Sequence, residues 1–121
     1  MSRLNLPALL VAAATLAACA PRTPPANAIG DPARGHDLIA SVGCGACHVV
    51  PGVIGANGLV GPPLTDLGRR TMLAGVLPNT PPNLIRWIQT PQSVVPGNAM
   101  PNMELNDHDA RDIAAYLYTL R

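Results

Sequence analysis

Cys44 and Cys47 lie three positions apart, with Gly45 and Ala46 between them, and His48 follows directly. At that spacing the two thiols share one face of a turn. Each can add to one vinyl group of a porphyrin. The next residue then carries an imidazole beneath the ring, within reach of an iron. A C-x-x-C-H run reads as the attachment site of a c-type haem. Competing readings are a structural disulfide, a thioredoxin-like pair and half of a zinc site. A thioredoxin-like pair calls for a βαβ pattern around it, and none is visible. Structural zinc needs further ligands at suitable spacing, and only His36, His108 and Cys19 remain. The reading carried forward is one covalent haem c, attached at Cys44 and Cys47 and ligated by His48.

Composition supports a cofactor of that size. The chain of 121 residues suits one small domain. With a leader set aside, about 90 residues are left to fold, few for a self-sufficient core. Trp87, Tyr116 and Tyr118 are the only aromatic residues, and there is no Phe. A covalently held porphyrin would supply the missing apolar area. All eight basic residues are Arg, set against seven Asp and Glu. Near-neutral charge gives no basic patch for nucleic acid. It also argues against docking through a ring of lysines.

The first residues resemble a bacterial export signal. Arg3 opens it, and Leu4 to Ala18 is mostly Leu, Ala and Val. That run is short of the roughly 20 residues that span a bilayer. Leu16-Ala17-Ala18-Cys19 resembles the lipobox of bacterial lipoproteins, in which the Cys is lipidated and becomes the first residue after cleavage. The alternative is an ordinary secretory cut with Cys19 incidental, but Pro21 makes a poor site for it. Residues 1–18 are therefore expected to be a lipoprotein signal peptide, and 19–29 a lipidated Cys with a Pro-rich tether. Stable anchoring takes more than one acyl chain, and lipoproteins of this type carry two or three. A polyproline-like stretch of ten residues would reach about 30 Å. The expected location is the periplasmic side of the bacterial inner membrane, with a soluble periplasmic protein as the alternative.

The elements around the motif follow in order. Asp31-Pro32 starts a helix expected to reach Val42, with Gly35, Ile39 and Val42 on one face. A Gly inside a helix costs about 1 kcal/mol relative to Ala, so a close helix crossing is expected there. The loop from Val49 to Gly61 supplies Val and Ile to pack on the haem and to form an apolar rim. Pro62, in Gly61-Pro62-Pro63-Leu64, is expected to accept the ring N–H of His48. Leu67 to Gly75 holds a short helical piece. Arg69 and Arg70 there could form a guanidinium fork for a haem propionate. Thr80-Pro81-Pro82 caps a helix from Asn83 to Thr90, which Pro91 ends. Leu84, Trp87 and Ile88 share its apolar face, with Trp87 against the ring. Asn106 caps the last helix, with Asp107 and Asp109 in its first turn. Ala110, Ile113, Leu117 and Leu120 form its stripe, Tyr116 is marginal, and Tyr118 points away.

The second iron ligand has five candidates: Met100, Met103, Met72, His36 and His108. The histidines lie on charged helical stretches that suit solvation, and Met72 suits the core. Met100 and Met103 are close rivals. The prolines flanking Met100 would hold it rigidly, which favours it. A thioether ligand favours Fe(II) and raises the potential relative to two histidines.

Cys44–His48, GPPL at 61–64, PGNAM at 96–100 and IAAYL at 113–117 resemble the class I c-type cytochromes over residues 30–121. The resemblance implies an all-α cytochrome c fold, with crossing N- and C-terminal helices and long loops around one haem. It makes His48 the proximal ligand and Met100 the distal one. It also sets Gly35 and Tyr116 at the crossing. Residues 61–101 further resemble the cytochrome c domain fused to subunit II of bacterial haem–copper oxidases. The part of the sequence before them shows no transmembrane hairpin and no Cys/His copper site, so the lipid anchor would take over membrane attachment. The implied function is single-electron transfer without enzymatic activity. Partners would be redox proteins, such as cytochrome c oxidase or a quinol-oxidising complex. A haem subunit of a periplasmic dehydrogenase is the alternative, as is a sensor or peroxidase with a labile distal ligand.

Overall fold

A computed structural model describes residues 25–121. Cys19, the leader and the first half of the tether lie outside the described residues. Within them the domain is mostly helical. Four α-helices are joined by loops, three 3-10 turns and one small antiparallel hairpin. That hairpin departs from the all-α expectation. No helix of the described residues is long and apolar enough to cross a membrane.

Helix α1 spans Pro32–Val42 and α4 spans Asp107–Thr119. Their starts follow from local chemistry. Asp31 accepts from the N–H groups of Ala33 and Arg34, with Pro32 at the first helical position. Asn106 Oδ1 accepts from Asp109 N at 2.8 Å, and Asp107 and Asp109 sit at the positive end of α4. The two helices cross where Gly35 meets the main chain of Asp112 and Ile113. Only a residue without a side chain allows that approach. Asp112, buried beside the crossing, accepts from Asp31 N at 2.8 Å and pairs with Arg34 at 2.5 Å. Tyr116 donates its hydroxyl to the carbonyl of Pro51 at 2.7 Å, tying the loop after the cysteine motif to α4.

The chain departs from expectation in four places, three of them between these helices. A 3-10 turn at Leu67–Arg69 gives way to strand β1 (Met72–Leu73) and strand β2 (Leu77–Pro78), so the expected helical piece is one turn long. Met72 pairs with Pro78 and Leu73 with Leu77. Helix α2 begins earlier than expected, at Pro81, and runs to Gln89. Thr80 occupies its N-cap position without a side-chain cap bond. Pro91 does end α2, but it also opens a one-turn helix, α3 (Pro91–Val94).

The fourth departure is Tyr118. It does not point away but is 2% exposed. Its hydroxyl donates to Asn79 Oδ1 at 2.7 Å, while Asn79 Nδ2 donates to the carbonyls of Leu67 and Arg70. The 67–79 segment thus covers the second face of α4, and the helix is buried on both sides. Burial pushes the Tyr118 phenol up to about 12. The core joins Ile39 of α1, Leu84 and Ile88 of α2, and Ile113, Leu117 and Tyr118 of α4.

Candidate functional site

After α1 the chain turns at Gly43 and enters a 3-10 turn at Cys44–Ala46. The N–H groups of Cys47 and His48 both bond to the carbonyl of Cys44. That winding puts both thiols and the imidazole on one side of the turn. Cys44 and Cys47 are free and half-buried, and burial pushes the Cys44 thiol up. All three line a cavity of about 490 Å³ with mainly apolar walls. Among the described residues, no group of three or more His, Cys, Asp or Glu is placed to hold a metal ion.

Three main-chain bonds close the loop behind the motif. Gly58 N donates to Gly45 O, Gly61 N to Cys47 O at 2.7 Å, and Leu64 N to Val49 O. They bring Gly61 and Pro62 under the imidazole. A Cβ on Gly61 would stand 2.6 Å from His48 Nδ1 and 2.9 Å from Nε2, so the ring occupies the space that a side chain at Gly61 would take. His48 Nδ1 is 2.7 Å from the carbonyl oxygen of Pro62. A carbonyl only accepts, so Nδ1 carries the proton and Nε2 keeps its lone pair for a metal.

The rest of the wall comes from α1, α2, α4, β1 and the loops between them. Ile39 and Val42 of α1, Leu84, Trp87 and Ile88 of α2, and Ile113 and Leu117 of α4 supply apolar surface. Met72 of β1 also lines it and is partly exposed, against the expectation of a core residue within a helix. Met100 and Met103 both reach the cavity from the loop after α3. Arg70 lines it too, with Nη2 donating to the carbonyls of Pro63 and Thr65. Arg69 is exposed and outside the lining, because the 3-10 turn sends neighbouring side chains in different directions, so the two arginines form no fork. Of the Val49–Gly61 loop, Val60 lines the cavity while Val50 and Val53 pack in the core. Ile54 and Leu59 stand in solvent at 101% and 88% exposure.

Neither remaining histidine belongs to the wall. His36 sits between Asp37 Oδ1 and the carbonyl of Gly52, with its ring edge-on to Tyr116. His108 is exposed beside Arg34. Sequence reasoning missed Gln92, Asn98 and Asn79, whose side chains hold the loops that carry the site. They bond to main chain, and such bonds leave no periodic signal in sequence.

These residues fit a covalently held porphyrin. The cavity is mainly apolar and is lined by α1, α2, α4, β1 and the loops between them. It offers paired thiols at one wall, an imidazole with a fixed tautomer, and thioethers on a separate loop.

The Cytochrome c family model matches residues 32–121. The chain is 36% identical over 89 residues to cytochrome c oxidase subunit 2 of Alkalihalophilus pseudofirmus, covering 73% of this chain and 25% of that protein. Subunit 2 of Bacillus sp. strain PS3 is 32% identical over 98 residues, covering 77% of this chain and 28% of that protein. The Bacillus subtilis subunit is 32% identical over 92 residues, covering 73% and 26%. The chain thus spans about a quarter of the length of these relatives. A family match across the whole helical domain, centred on a cavity that brings paired thiols to one imidazole, shows that the chain belongs to the cytochrome c family and carries covalent haem c.

Proposed function

We propose that this cytochrome is a membrane-anchored, single-haem electron carrier with His48 and Met100 as axial ligands, serving a respiratory chain near a terminal oxidase. The observation that carries the ligand reading is the His48 Nδ1–Pro62 carbonyl bond, which leaves Nε2 as the free donor. When bound, the haem would supply reversible one-electron chemistry at iron, which His48 and Met100 would hold. The chain's own residues then have three tasks. Cys44 and Cys47 fix the porphyrin, Pro62 and Gly61 orient the imidazole, and the apolar walls exclude water. Arg70 and Trp87 both line the cavity and carry N–H donors of the kind that suits propionates.

Placement near an oxidase is supported by the similarity to the oxidase subunits, and the membrane anchor by the Cys19 lipobox. The partner-facing surface is read from Val60, which is 71% exposed and also lines the cavity, with Ile54 and Leu59 in the same loop. A haem edge bordered by apolar side chains suits a redox partner without strong charge.

The test is a pair of variants, Met100→Ala and Met103→Ala, read by the sulfur-to-iron charge-transfer band of the oxidised protein. Loss of the band in the first and retention in the second is expected. Retention in Met100→Ala would transfer the distal role to Met103. For the anchor, Cys19→Ser should move the protein from the membrane to the soluble periplasmic fraction. An unchanged membrane fraction would overturn that part.

A further inference from the structure

Of the three methionines that line the cavity, Met100 and Met103 lie on one loop, yet their main chains are held differently. Met103 has its N–H on the carbonyl of Gln89 at 3.2 Å. Met100 is held at both its polar main-chain groups, and by side chains. Its N–H donates to Asn98 Oδ1 at 2.8 Å, and its carbonyl accepts from Gln92 Nε2 at 2.7 Å. The same Nε2 donates to the carbonyl of Asn98 at 2.8 Å, and Gln92 Oε1 accepts from Gly97 N at 2.9 Å. The main-chain N–H of Gln92 meets Asn102 Oδ1 at 3.3 Å. Every polar contact of this residue outside its own helix is therefore directed at residues 97–102. Asn98 Nδ2 in turn donates to the carbonyls of Pro91 and Val95, which ties the loop back to α3.

We propose that Gln92 is the positioning residue for the distal ligand: from α3 it clamps the main chain around Met100, so that the Met100 thioether stays at the cavity wall while Met103 remains a spectator. The proposal rests on the reading of Met100 as that ligand. A surface Gln that merely satisfied a loop could bond to any carbonyl it reached. Gln92 spans the loop instead, with its donor on residues 98 and 100 and its acceptor on 97. The amide is required at both ends. A carboxylate in its place keeps the acceptor for Gly97 N and loses the donor for Met100 O.

Three variants of the haem-loaded protein test this: Gln92→Ala, Gln92→Glu and Ser93→Ala. Ser93 lies in the same turn, and its hydroxyl bonds to Thr90, so its loss disturbs α3 without touching the clamp. Two readouts apply at neutral pH. Amide hydrogen exchange at Met100 should quicken about tenfold in both Gln92 variants, since both lose the Nε2 bonds to the carbonyls of Asn98 and Met100. Cyanide should bind the oxidised Gln92 variants about tenfold faster, as the thioether leaves the iron more often. Ser93→Ala should match the wild type in both. Equal rates in wild type, Gln92→Ala and Gln92→Glu would overturn the proposal. So would an equal quickening in Ser93→Ala, which would make the effect one of helix stability. Met100→Ala separates the two levels. If it loses the charge-transfer band while the Gln92 variants stay at wild-type rates, the clamp fails and the ligand reading stands. If it keeps the band, the ligand reading fails and the clamp falls with it.

Discussion

Replacing Gly35 by Ala tests the helix crossing on which the site is built. The added Cβ would stand 2.5 Å from the carbonyl carbon of Asp112 and 3.1 Å from the amide nitrogen of Ile113. Carbon atoms in good contact are about 3.5–4.0 Å apart, so about 1 Å of overlap has to be relieved. The opposing atoms belong to the main chain of α4, and no rotamer change moves them. The helices must part, which also stretches the bonds that Asp112 makes to Asp31 N and Arg34. Overpacking costs about 1–3 kcal/mol. Weakening the bonds of a buried carboxylate adds about 1–3 kcal/mol. Ala is the better helix former by about 1 kcal/mol, which offsets part of this. The expected net loss is about 3 kcal/mol, or a fall of about 12–24 °C in melting temperature for a domain of this size. Thermal and urea unfolding of the loaded protein, followed by circular dichroism, measures it. A melting point within about 4 °C of wild type would refute the close crossing.

Three further outcomes are expected. Burial acts to raise the Asp112 carboxyl, but the Asp31 N–H and the Arg34 guanidinium outweigh it and hold the group below the ordinary carboxylate value. A lowered folded-state pKa gives stability that is present above the unfolded value, near 3.9, and lost as pH falls through the folded one. Acid unfolding should therefore begin at higher pH in wild type than an otherwise equally stable Asp112→Asn protein would show, and the variant's stability should change less between neutral and acid pH; equal slopes would count against the pairing. Tyr118→Phe strands Asn79 Oδ1 and should cost about 1–3 kcal/mol in urea unfolding while leaving the visible spectrum unchanged. An altered spectrum would mean that Tyr118 supports the haem directly. With no Lys and a near-neutral charge, electron transfer to a partner should slow little with added salt, and a steep fall would contradict docking through an apolar rim.

What could be read from sequence was set by short-range chemistry. The cap residues Asp31 and Asn106 act within three positions, and the cysteine motif within five. Gly35 was legible because a Gly in an apolar helical stripe asks for a neighbour. Tyr118 was not, because a single-stripe reading allows a helix one buried face. The run from Ile113 to Tyr118 includes Ala114 and Ala115, whose small side chains let a second layer approach. That layer is the 67–79 segment, held by Asn79, and nothing local to α4 announces it. The hairpin and α3 escaped for a related reason. Two-residue strands and a one-turn helix are too short for periodicity, and side-chain bonds to main chain stabilise them. The same blindness separated Arg70 from Arg69: adjacent identical residues differ only in the backbone geometry that aims them.

His48 and Pro62 are separated by 14 positions yet meet in one hydrogen bond, and Gly61 leaves no room beneath the imidazole for a side chain. For anyone transplanting this chemistry into another scaffold, five residues are therefore not a portable part. A grafted Cys-x-x-Cys-His would capture a porphyrin but leave its histidine free to rotate and to choose either tautomer. The smallest transferable piece runs from Gly43 to Leu64, because the pins at Gly45, Cys47 and Val49 bring the second segment into place. Within that piece the tip at Ile54-Gly55 is the place for freedom. Ile54 is solvent-exposed and a side chain at Gly55 would meet no neighbour, so added length there should leave both ends of the unit in register.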